Sequence, residues 1–434
     1  MSLLLDSVLD AVQPHVAGRV ARVLGLNLEV EGMHLPIGSS VAVATDHGPV
    51  IAEVVAVRDD TLVCMPLGDL RGVRAGDRAH AAEGATSIPV GAELLGRVLD
   101  GLGRPIDGGP PLRHVPRVSV EHRAPHPLSR RMIDTQLPLG VRAIDTLMPC
   151  GRGQRMGIFA GSGVGKSTLL SMITRGTDAA VTVLALVGER GREVREFIEN
   201  DLGPDGLARA VVVVSTSDEP ALVRLRAAFT ATRIAEWFRD QNLDVLLLMD
   251  SLTRFAMAQR EVGLSAGEPP ATRGYPPSVF GMLPRLLERA GASDRGSVTG
   301  LYTVLVEGDD LMDPIGDASR AILDGHIVLS RSLATAGHFP SIDVLESISR
   351  LTPAITRPEQ REAATEMRRL LAAYRDAKDL IEIGAYVSGT SPLVDRAIAL
   401  REAMDGFLRQ DQHGVTPATD SWAALDRLVG GGTG

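Results

Sequence analysis

The chain has 434 residues, of which 44% are hydrophobic and 23% are charged, and its formal net charge is −9. This length exceeds that of a typical single domain and the composition is globular, so we expect two or three domains. The acidic balance argues against a general nucleic-acid or anionic-membrane surface, and no apolar run approaches the ~20 residues that span a bilayer. The two cysteines, Cys64 and Cys150, show neither metal-ligand spacing nor a disulfide framework, which favours a reducing, cytosolic compartment.

The N-terminal stretch MSLLLDSVLDAVQP predicts a short amphipathic helix. Apolar residues recur in it at helical spacing, namely Leu3, Leu4, Val8, Leu9 and Val12. The stretch lacks a basic first region, and Asp6 and Asp10 interrupt it, so it does not match a secretory signal. Two hypotheses stay open: the segment is a frayed or core-docked terminus, or it docks onto a partner.

Residues 16 to about 85 predict short β-strands separated by turns. Stretches such as VAGRVARVLG, NLEVEG and DTLVCMPLG alternate apolar and polar residues between Gly, Asn and Asp. Several such strands at close spacing are typical of a small closed barrel. With the leading helix they form a predicted first domain of residues 1–88. Residues 86–135 are rich in Pro and Gly and predict a wrapping linker.

From about residue 155, continuous apolar runs alternate with helical segments. The runs are RMGIFA, VTVLALVG, AVVVVST, VLLLMD and GLYTVLVEG. Buried strands that alternate with amphipathic helices predict an α/β domain with a parallel sheet covered on both faces, which we assign to residues 89–352. After about residue 353 only helical patterns remain, so residues 353–434 predict a small α-helical domain.

The strongest motif is AGSGVGKST at residues 160–168, between a predicted strand and a predicted helix. Its glycines allow successive main-chain N–H groups to converge on phosphate oxygens, although Ala160 replaces the first glycine of the strict pattern. A slim lysine ammonium can reach between the β- and γ-phosphates, where the broader guanidinium of arginine would clash. The predicted nucleotide-binding residues are Gly161, Ser162, Gly163, Val164, Gly165, Lys166, Ser167 and Thr168. The Ser167 hydroxyl is also a predicted ligand of Mg²⁺.

Two other apolar runs end in acidic residues. Asp250 closes LDVLLLMD, and an acid at that strand end can hold the Mg²⁺ shell of a bound nucleotide, the alternative being a turn cap. Glu189 follows LALVG, where a carboxylate could orient and polarise an attacking water. Taken alone, the neighbouring pair Glu189 and Arg190 is more typical of a surface salt bridge.

Several long stretches together resemble the protein-export ATPases of the flagellum and of type III secretion, which are relatives of the catalytic subunit of rotary ATP synthases. These stretches are LPLGVRAIDTLMPCGRGQRMGIFAGSGVGKSTLL, VGERGREVREFIEN, LLMDSLTRFAMAQREVGLSAGEPPATRGYPPSVFGMLPRLLERAG, LVEGDDLMDPIGDASRAILDGHIVLSR and HFPSIDVLESISR. The resemblance is dense over residues 90–355. It implies a RecA-like P-loop core between the barrel and the helical domain, and hydrolysis of ATP with Mg²⁺.

The resemblance also implies roles for individual residues. Lys166 grips the phosphates, Glu189 is the catalytic base and Arg190 is its neighbour in the GER motif. Arg350, at the end of SISR, resembles the arginine finger that reaches a neighbouring subunit's nucleotide and neutralises charge in the transition state. Base and finger occur on one chain, so identical subunits in a ring could complete every site, and a homo-hexamer is expected.

Further partners are implied by the same resemblance. They are a stator-like regulatory protein at the N-terminus, and a central stalk, export substrates and chaperones at the C-terminal domain, around residues 374–400. The expected location is cytoplasmic, peripheral at a membrane export gate, with no nucleic-acid partner. The loop GSGVGKST together with GERGREVREFIEN resembles flagellar members more than virulence-associated members.

Three rival functions differ from the export ATPase at identifiable places. A non-catalytic subunit of the rotary group typically carries Gln at the GER glutamate, where this chain has Glu189. A Rho-like RNA translocase needs an aromatic-bearing platform, whereas residues 16–85 contain no Phe, Tyr or Trp. The catalytic subunit of a proton-translocating ATPase usually carries a longer C-terminal region. The main hypothesis is therefore a flagellar export ATPase, with the virulence-type ATPase as its alternative.

Overall fold

A computed structural model describes residues 17–82, 86–306 and 313–430 of the chain. The helix predicted for the N-terminal stretch lies outside these described residues. Among the helices that are described, none combines the length and the apolar character needed to cross a membrane.

The first strands form a closed antiparallel barrel with the order β1-β2-β5-β4-β3-β6. Alternate side chains point inward and are buried, among them Val20, Val30, Val54 and Leu62. The barrel predicted from the alternating pattern is therefore confirmed. Its strands are β1 (Ala17–Leu24), β2 (Asn27–Glu31), β3 (Ser40–Val43), β4 (Val50–Arg58), β5 (Thr61–Pro66) and β6 (Arg78–Ala82).

The segment after the barrel contains more regular structure than a linker. β7 (Ser87–Pro89) pairs with β9 (Arg117–Ser119), and β8 (Val98–Asp100) joins the edge of the central sheet. The sequence pattern missed these strands because each spans three residues in a stretch dominated by turn-forming Pro and Gly.

The central sheet has the order β17-β16-β10-β15-β13-β11-β12-β8, with β14 beside β15. Neighbouring strands in this sheet pair in parallel, except that β17 and β14 are antiparallel to their partners. All five predicted apolar runs are strands of this sheet, as expected for strands buried on both faces. The strands are β10 (Arg155–Ala160), β11 (Val181–Glu189), β12 (Ala210–Thr216), β13 (Asp244–Asp250), β14 (Gly291–Ala292), β15 (Ser297–Leu305), β16 (Gly325–Leu329) and β17 (Ile342–Ser349).

Helices cover both faces of the sheet. One buried cluster joins Ile144, Leu169 and Leu184, and a second joins Val183 and Phe255, so successive residues of β11 serve opposite faces. The helices are α1 (Arg142–Leu147), α2 (Lys166–Gly176), α3 (Gly191–Glu196), α4 (Gly203–Ala208), α5 (Ala221–Asp240), α6 (Leu252–Ser265), α7 (Pro277–Leu287), α8 (Pro314–Ile322) and α9 (Arg331–Thr335). A π-helical turn, Phe197–Leu202, lies between α3 and α4.

The C-terminal part of the described chain is helical, as predicted. Met367 and Trp422 are buried in the cluster on the α2 face of the sheet. The helices are α10 (Thr352–Ile355), α11 (Pro358–Glu382), α12 (Pro392–Ala399), α13 (Arg401–Leu408) and α14 (Ala418–Gly430).

Between α13 and α14, the segment 409–414 lies against the core. Gln410 donates its main-chain N–H to the carbonyl of Phe339 at 3.0 Å and its side-chain amide to the carbonyl of Gly140 at 2.8 Å. Arg175, near the end of α2, donates to the carbonyl of Gln412. The barrel, the α/β core and the C-terminal helices confirm the predicted fold class.

Candidate active site

The glycine-rich loop occupies residues 161–165, between the end of β10 and the start of α2. Gly163 has φ 73° and Gly165 has φ 92°, which is the left-handed region that a Cβ disfavours. The loop therefore needs glycine at both positions. It leads directly into α2, whose first main-chain N–H groups and positive dipole end suit a phosphate anion.

Three predicted site residues meet beside this loop. Lys166 begins α2, Glu189 ends β11 and Asp250 ends β13, all at the carboxyl edge of the parallel strands. The Lys166 Nζ lies 2.5 and 2.6 Å from the two carboxylate oxygens of Asp250 and 3.5 Å from Glu189 Oε1. Thr303 of β15 donates its hydroxyl to Asp250 Oδ1 at 2.6 Å. The predicted cation and acids thus form one ion cluster.

Burial and neighbouring charges shift the pKa values of both Lys166 and Glu189. Burial by itself lowers the pKa of Lys166, but the carboxylates of Asp250 and Glu189 outweigh burial, so the pKa is raised. The pKa of Glu189 is also raised, first by burial and then by the negative charge of Asp250, against the attraction of Lys166 and Arg254. A carboxylate that holds a proton more tightly than usual is a stronger base, which suits proton abstraction from water.

Other predicted residues lie around the cluster at greater exposure. Ser167 is exposed on the first turn of α2, and Thr168 beside it is half-buried. Arg190 is exposed and donates to Glu193 Oε1 at 2.8 Å, which is the arrangement of a surface ion pair. The proposed contribution of Arg190 to catalysis therefore stays a prediction.

Arg350 lies at the opposite edge of the sheet from the glycine loop. Because β17 is antiparallel to β16, its last residue, Ser349, lies opposite Gly325, and Arg350 donates its main-chain N–H to the carbonyl of Asp324 at 2.9 Å. Asp324 pairs with Arg155, the first residue of β10, whereas the glycine loop follows the last. Six residues of strand separate those ends by about 17 Å. Arg350 is exposed and does not reach the glycine loop of its own chain.

Two residues of the HFPSIDVLES stretch support the loop, which the sequence did not reveal. Ser341 donates its hydroxyl to the carbonyl of Val164 at 2.5 Å. The ring of Phe339 is 45% exposed, and a Cβ placed on Gly165 would lie 3.5 Å from it. An exposed aromatic surface therefore borders the glycine loop. In the sequence, Phe339 is only one apolar residue of this stretch, and the folded chain is what brings it to the loop.

The oxygen atoms at this site fit the preferences of Mg²⁺. The Ser167 hydroxyl and the Asp250 carboxylate are hard oxygen ligands of the kind that Mg²⁺ selects. Within the described part of the chain, no group of three or more His, Cys, Asp or Glu side chains could hold a metal by itself. These residues therefore suit an ion that takes its remaining ligands from nucleotide phosphates and water.

Two family descriptions match consecutive parts of the chain. The nucleotide-binding domain of the ATP synthase alpha/beta family matches residues 140–349. The T3SS EscN ATPase C-terminal domain matches residues 356–427. The first match contains the glycine loop, the ion cluster and the two loop-supporting residues.

Similar proteins extend over nearly the whole chain. The Flagellum-specific ATP synthase of Bacillus subtilis is 50% identical over 416 residues, which cover 95% of each chain. That of Salmonella typhimurium is 48% identical, covering 97% of this chain and 95% of its own. The Type 3 secretion system ATPase of Xanthomonas euvesicatoria is 50% identical, covering 91% of this chain and 89% of its own.

Solved structures agree with these matches. The assembled ATPase EscN from the enteropathogenic E. coli type III secretion system has a TM-score of 0.91 at 46% identity, covering 95% of this chain and 100% of its own. EscN in complex with its central stalk EscO has a TM-score of 0.88 at 45% identity, with the same coverage of both chains. The chain therefore belongs to the family of flagellum-specific ATP synthases and type 3 secretion system ATPases, within the wider ATP synthase alpha/beta family.

Proposed function

We propose that the chain hydrolyses MgATP within a ring of identical subunits and thereby energises or primes the export of flagellar proteins through a type III export apparatus. The observation that carries the hydrolytic step is the ion cluster of Lys166, Glu189 and Asp250 beside the glycine loop. The flagellar assignment is supported by relatives such as that of Bacillus subtilis, which matches 95% of this chain.

In the proposed reaction, the triphosphate binds to residues 161–168. Lys166 leaves Asp250 for the β- and γ-phosphates, which offer more negative charge. Ser167 and Asp250 would hold Mg²⁺, which supplies charge neutralisation on the phosphates. A water oxygen attacks the γ-phosphorus while its proton passes to Glu189, and the bond between that phosphorus and the ADP oxygen breaks.

The base of the nucleotide would stack on Phe339. This ring is the exposed aromatic surface next to Gly165, at the start of the helix that receives the phosphates. Stacking on an aromatic face uses the π-surface of the base and needs no hydrogen-bond pattern. Phe339 would therefore contribute to nucleotide affinity rather than to the rate of the chemical step.

Arg350 would act in the site of a neighbouring subunit. Its separation from the glycine loop of its own chain by the length of β10, about 17 Å, leaves a second copy as the recipient. A heterologous contact of this kind closes into a ring when the rotation between copies is right, and we propose six copies. The relative EscN, solved as an assembled ATPase, supports this arrangement.

The proposed partners follow the domain order, with boundaries near residues 88 and 352. A stator-like regulatory protein would bind at the N-terminus. A central stalk, export substrates and chaperones would contact the C-terminal domain around residues 374–400, and the complex of EscN with its central stalk EscO supports the stalk. The chain would work in the cytoplasm, peripheral to the membrane export gate.

The trans-acting role is tested by mixing two inactive variants, Lys166→Ala and Arg350→Ala. In randomly mixed rings, about a quarter of the interfaces combine an intact Lys166 with an intact Arg350. We expect each variant alone to be inactive and the mixture to recover about that fraction of the wild-type ATPase rate. A mixture as inactive as its components would reject the shared site.

The chain provides its own matched control, because Lys378 is its only other lysine. Lys378 is exposed on α11, 3.6 Å from Glu382. Its substitution by Ala removes the same charge away from the ATP site, so the ATPase rate should stay at the wild-type level. Equal losses in the two lysine variants would contradict the assignment of the phosphate-binding cation.

A virulence-type secretion ATPase is the second candidate, because the relative from Xanthomonas euvesicatoria is also 50% identical. The two are distinguished by expressing the chain in a motile bacterium that lacks its flagellum-specific ATP synthase. We expect motility to return with the wild-type chain but not with Glu189→Gln. Rescue of a type III secretion mutant in place of the flagellar mutant would favour the second candidate.

A further inference from the structure

Two side chains of the described part of the chain donate hydrogen bonds to the Asp250 carboxylate, and they differ in charge. One is the Lys166 ammonium, which lies 2.5 and 2.6 Å from the two carboxylate oxygens. The other is the Thr303 hydroxyl, which donates to Oδ1 at 2.6 Å. Phosphates attract the charged lysine, whereas Thr303 is neutral and fully buried on a central strand. Thr303 is therefore the donor that can keep its contact with Asp250 when a nucleotide binds.

Strand register places Thr303 beside Asp250. β15 lies between β10 and β13 and pairs in parallel with both strands. Tyr302 of β15 lies opposite Met249 of β13, so the next residues of the two strands, Thr303 and Asp250, lie side by side. Both face the α2 side of the sheet, as does the buried Leu301 two residues before Thr303. The pairing of these two side chains thus follows from the sheet itself.

A second threonine fixes the end of β15 to the helix that follows Asp250. The main-chain N–H of Leu305 donates to the hydroxyl of Thr253, in the first turn of α6, at 2.9 Å. With the bond from Thr303 to Asp250, this contact joins β15 to the residues on both sides of the junction between β13 and α6. The χ1 angle of threonine is stiff because its Cβ is branched. The direction of the Thr303 hydroxyl is therefore set by a fixed strand and a stiff side chain.

We propose that Thr303 is a positioning residue for the Mg²⁺-dependent reaction. Its hydroxyl holds the Asp250 carboxylate in one orientation after Lys166 has moved to the phosphates, and it leaves Oδ2 free for the ligand shell of the ion. This inference rests on the proposed function, in which Ser167 and Asp250 hold Mg²⁺. Hydrogen bonds to ionised carboxylates are strong, and loss of such a partner behind a metal ligand typically costs about 10- to 100-fold in metal affinity.

Thr303→Val tests this role, because valine has nearly the same shape, suits a buried strand and lacks the hydroxyl. The equilibrium affinity of a fluorescent ATP analogue is measured in EDTA and across a titration with Mg²⁺. In EDTA the phosphates meet the glycine loop and Lys166, so we expect Thr303→Val to bind the analogue like wild type. The Mg²⁺ concentration that gives half of the metal-dependent change in affinity should rise by about tenfold. Thr303→Ser keeps the hydroxyl and should stay within about twofold of wild type.

Thr299→Val is the matched control, because Thr299 lies on the same strand and is also buried. Its hydroxyl accepts a hydrogen bond from the N–H of Gly153 at 2.8 Å, at the opposite edge of the sheet from Asp250. Four residues of strand, about 13 Å, separate Thr299 from Thr303. We expect Thr299→Val to keep the wild-type Mg²⁺ dependence even where its free energy of unfolding falls. Equal shifts of the Mg²⁺ dependence in the two valine variants would overturn the proposal, since a loosened strand would then explain both.

Asp250→Asn distinguishes a failure of this inference from a failure of the proposed function. If Asp250→Asn shifts the Mg²⁺ dependence and Thr303→Val does not, the positioning role is overturned while the metal role of Asp250 stands. If neither variant shifts it, the metal role of Asp250 is overturned as well. Because the hydroxyl acts through that carboxylate, Thr303→Val should add nothing in the Asp250→Asn background. A further shift in the double variant, or a shift in Thr303→Val alone, would contradict the proposal.

Discussion

At the scale of single residues, the neighbours of Glu189 have opposing effects on the pKa of its carboxyl group. Its carboxylate is 3.5 Å from the Lys166 ammonium, yet burial and the charge of Asp250 raise its pKa above the ordinary value. The same environment that makes Glu189 a better base therefore makes its ionised form costly to the folded chain.

Glu189→Gln should separate these two effects. We expect ATP hydrolysis to fall by at least ~10²-fold, because the proton acceptor is lost, while ATP binding persists. Since the folded state binds the Glu189 proton more tightly than the unfolded state, wild-type stability declines as pH rises through the raised pKa. The variant should therefore be more stable than wild type near neutral pH, and the difference should close below about pH 4. Chemical denaturation across pH measures it, and a gap that widens toward acid would contradict the sign.

Phe339→Ala tests the aromatic surface beside Gly165. Loss of stacking is expected to raise the KM for ATP by about tenfold, equivalent to ~1.4 kcal/mol, with little change in kcat. Phe339→Tyr keeps the ring and should stay near wild type. A fall in kcat at unchanged KM would instead assign Phe339 to the chemical step.

The residues of the site differ in how visible they are in the sequence. Glu189 and Asp250 end apolar runs, and Lys166 follows the glycine loop after another such run. Because the carboxyl ends of parallel strands meet at one edge, the convergence of these residues was predictable. Phe339 and Ser341 touch the loop from more than 170 positions further along the chain, and no local pattern encodes that contact. The exposed position of Arg190 likewise depends on packing.

At the scale of elements, α2 is placed by a close approach between two main chains. A Cβ on Gly140 would lie 2.6 Å from the Cα of Gly176, the last residue of α2, and Gly140 itself has φ 74°. There is no space for a side chain and no favourable backbone region for one. The end of α2 is thus fixed by two glycines.

Gly140→Ala should destabilise the chain by more than ~2 kcal/mol, because the backbone of α2 must move to accept a methyl group. The matched control is Gly281→Ala on α7, where nothing lies within 4 Å of the added Cβ. That change should stabilise by about 0.5–1 kcal/mol, since Ala restricts the unfolded chain and favours helix. Thermal or chemical unfolding of both variants checks the pair, and similar effects would refute the close approach.

The elements themselves were predicted where the pattern was long. The five buried strands stand out as continuous apolar runs, and α5 and α11 as extended amphipathic stretches. The three-residue strand β8 and the π-helical turn 197–202 were not predicted, because their geometry is set by neighbouring strands and helices rather than by local periodicity.

At the scale of the whole molecule, the order of barrel, α/β core and helical domain could be predicted from the sequence. The hydrophobic pattern changes along the chain from alternating residues to continuous apolar runs and then to helical spacing. A cavity of about 850 Å³ where the barrel meets the α/β core was not visible, because a cavity depends on how separate domains pack. The position of Arg350 also needed the fold, since the antiparallel pairing of β17 sends it to the edge opposite the glycine loop.

If Arg350 serves a neighbouring subunit, the specific ATPase activity must depend on assembly. We expect it to rise with protein concentration and to level off once rings are complete, because an arginine finger can contribute ~10³-fold or more. The specific ATPase activity of Arg350→Ala should stay low at every protein concentration. Steady-state rates measured alongside light scattering test this, and a specific activity independent of concentration would exclude the shared site.

The segment 409–414 connects the surroundings of the glycine loop to the C-terminal helices. Its Gln410 N–H donates to the carbonyl of Phe339, near the start of α2. Its Gln412 carbonyl accepts a hydrogen bond from Arg175, near the end of the same helix. A small shift of the glycine loop would therefore displace both contacts of the segment together. The C-terminal helices would then rotate about residues 409–414. ATP hydrolysis at the carboxyl edge of the sheet would in this way displace the C-terminal helical domain.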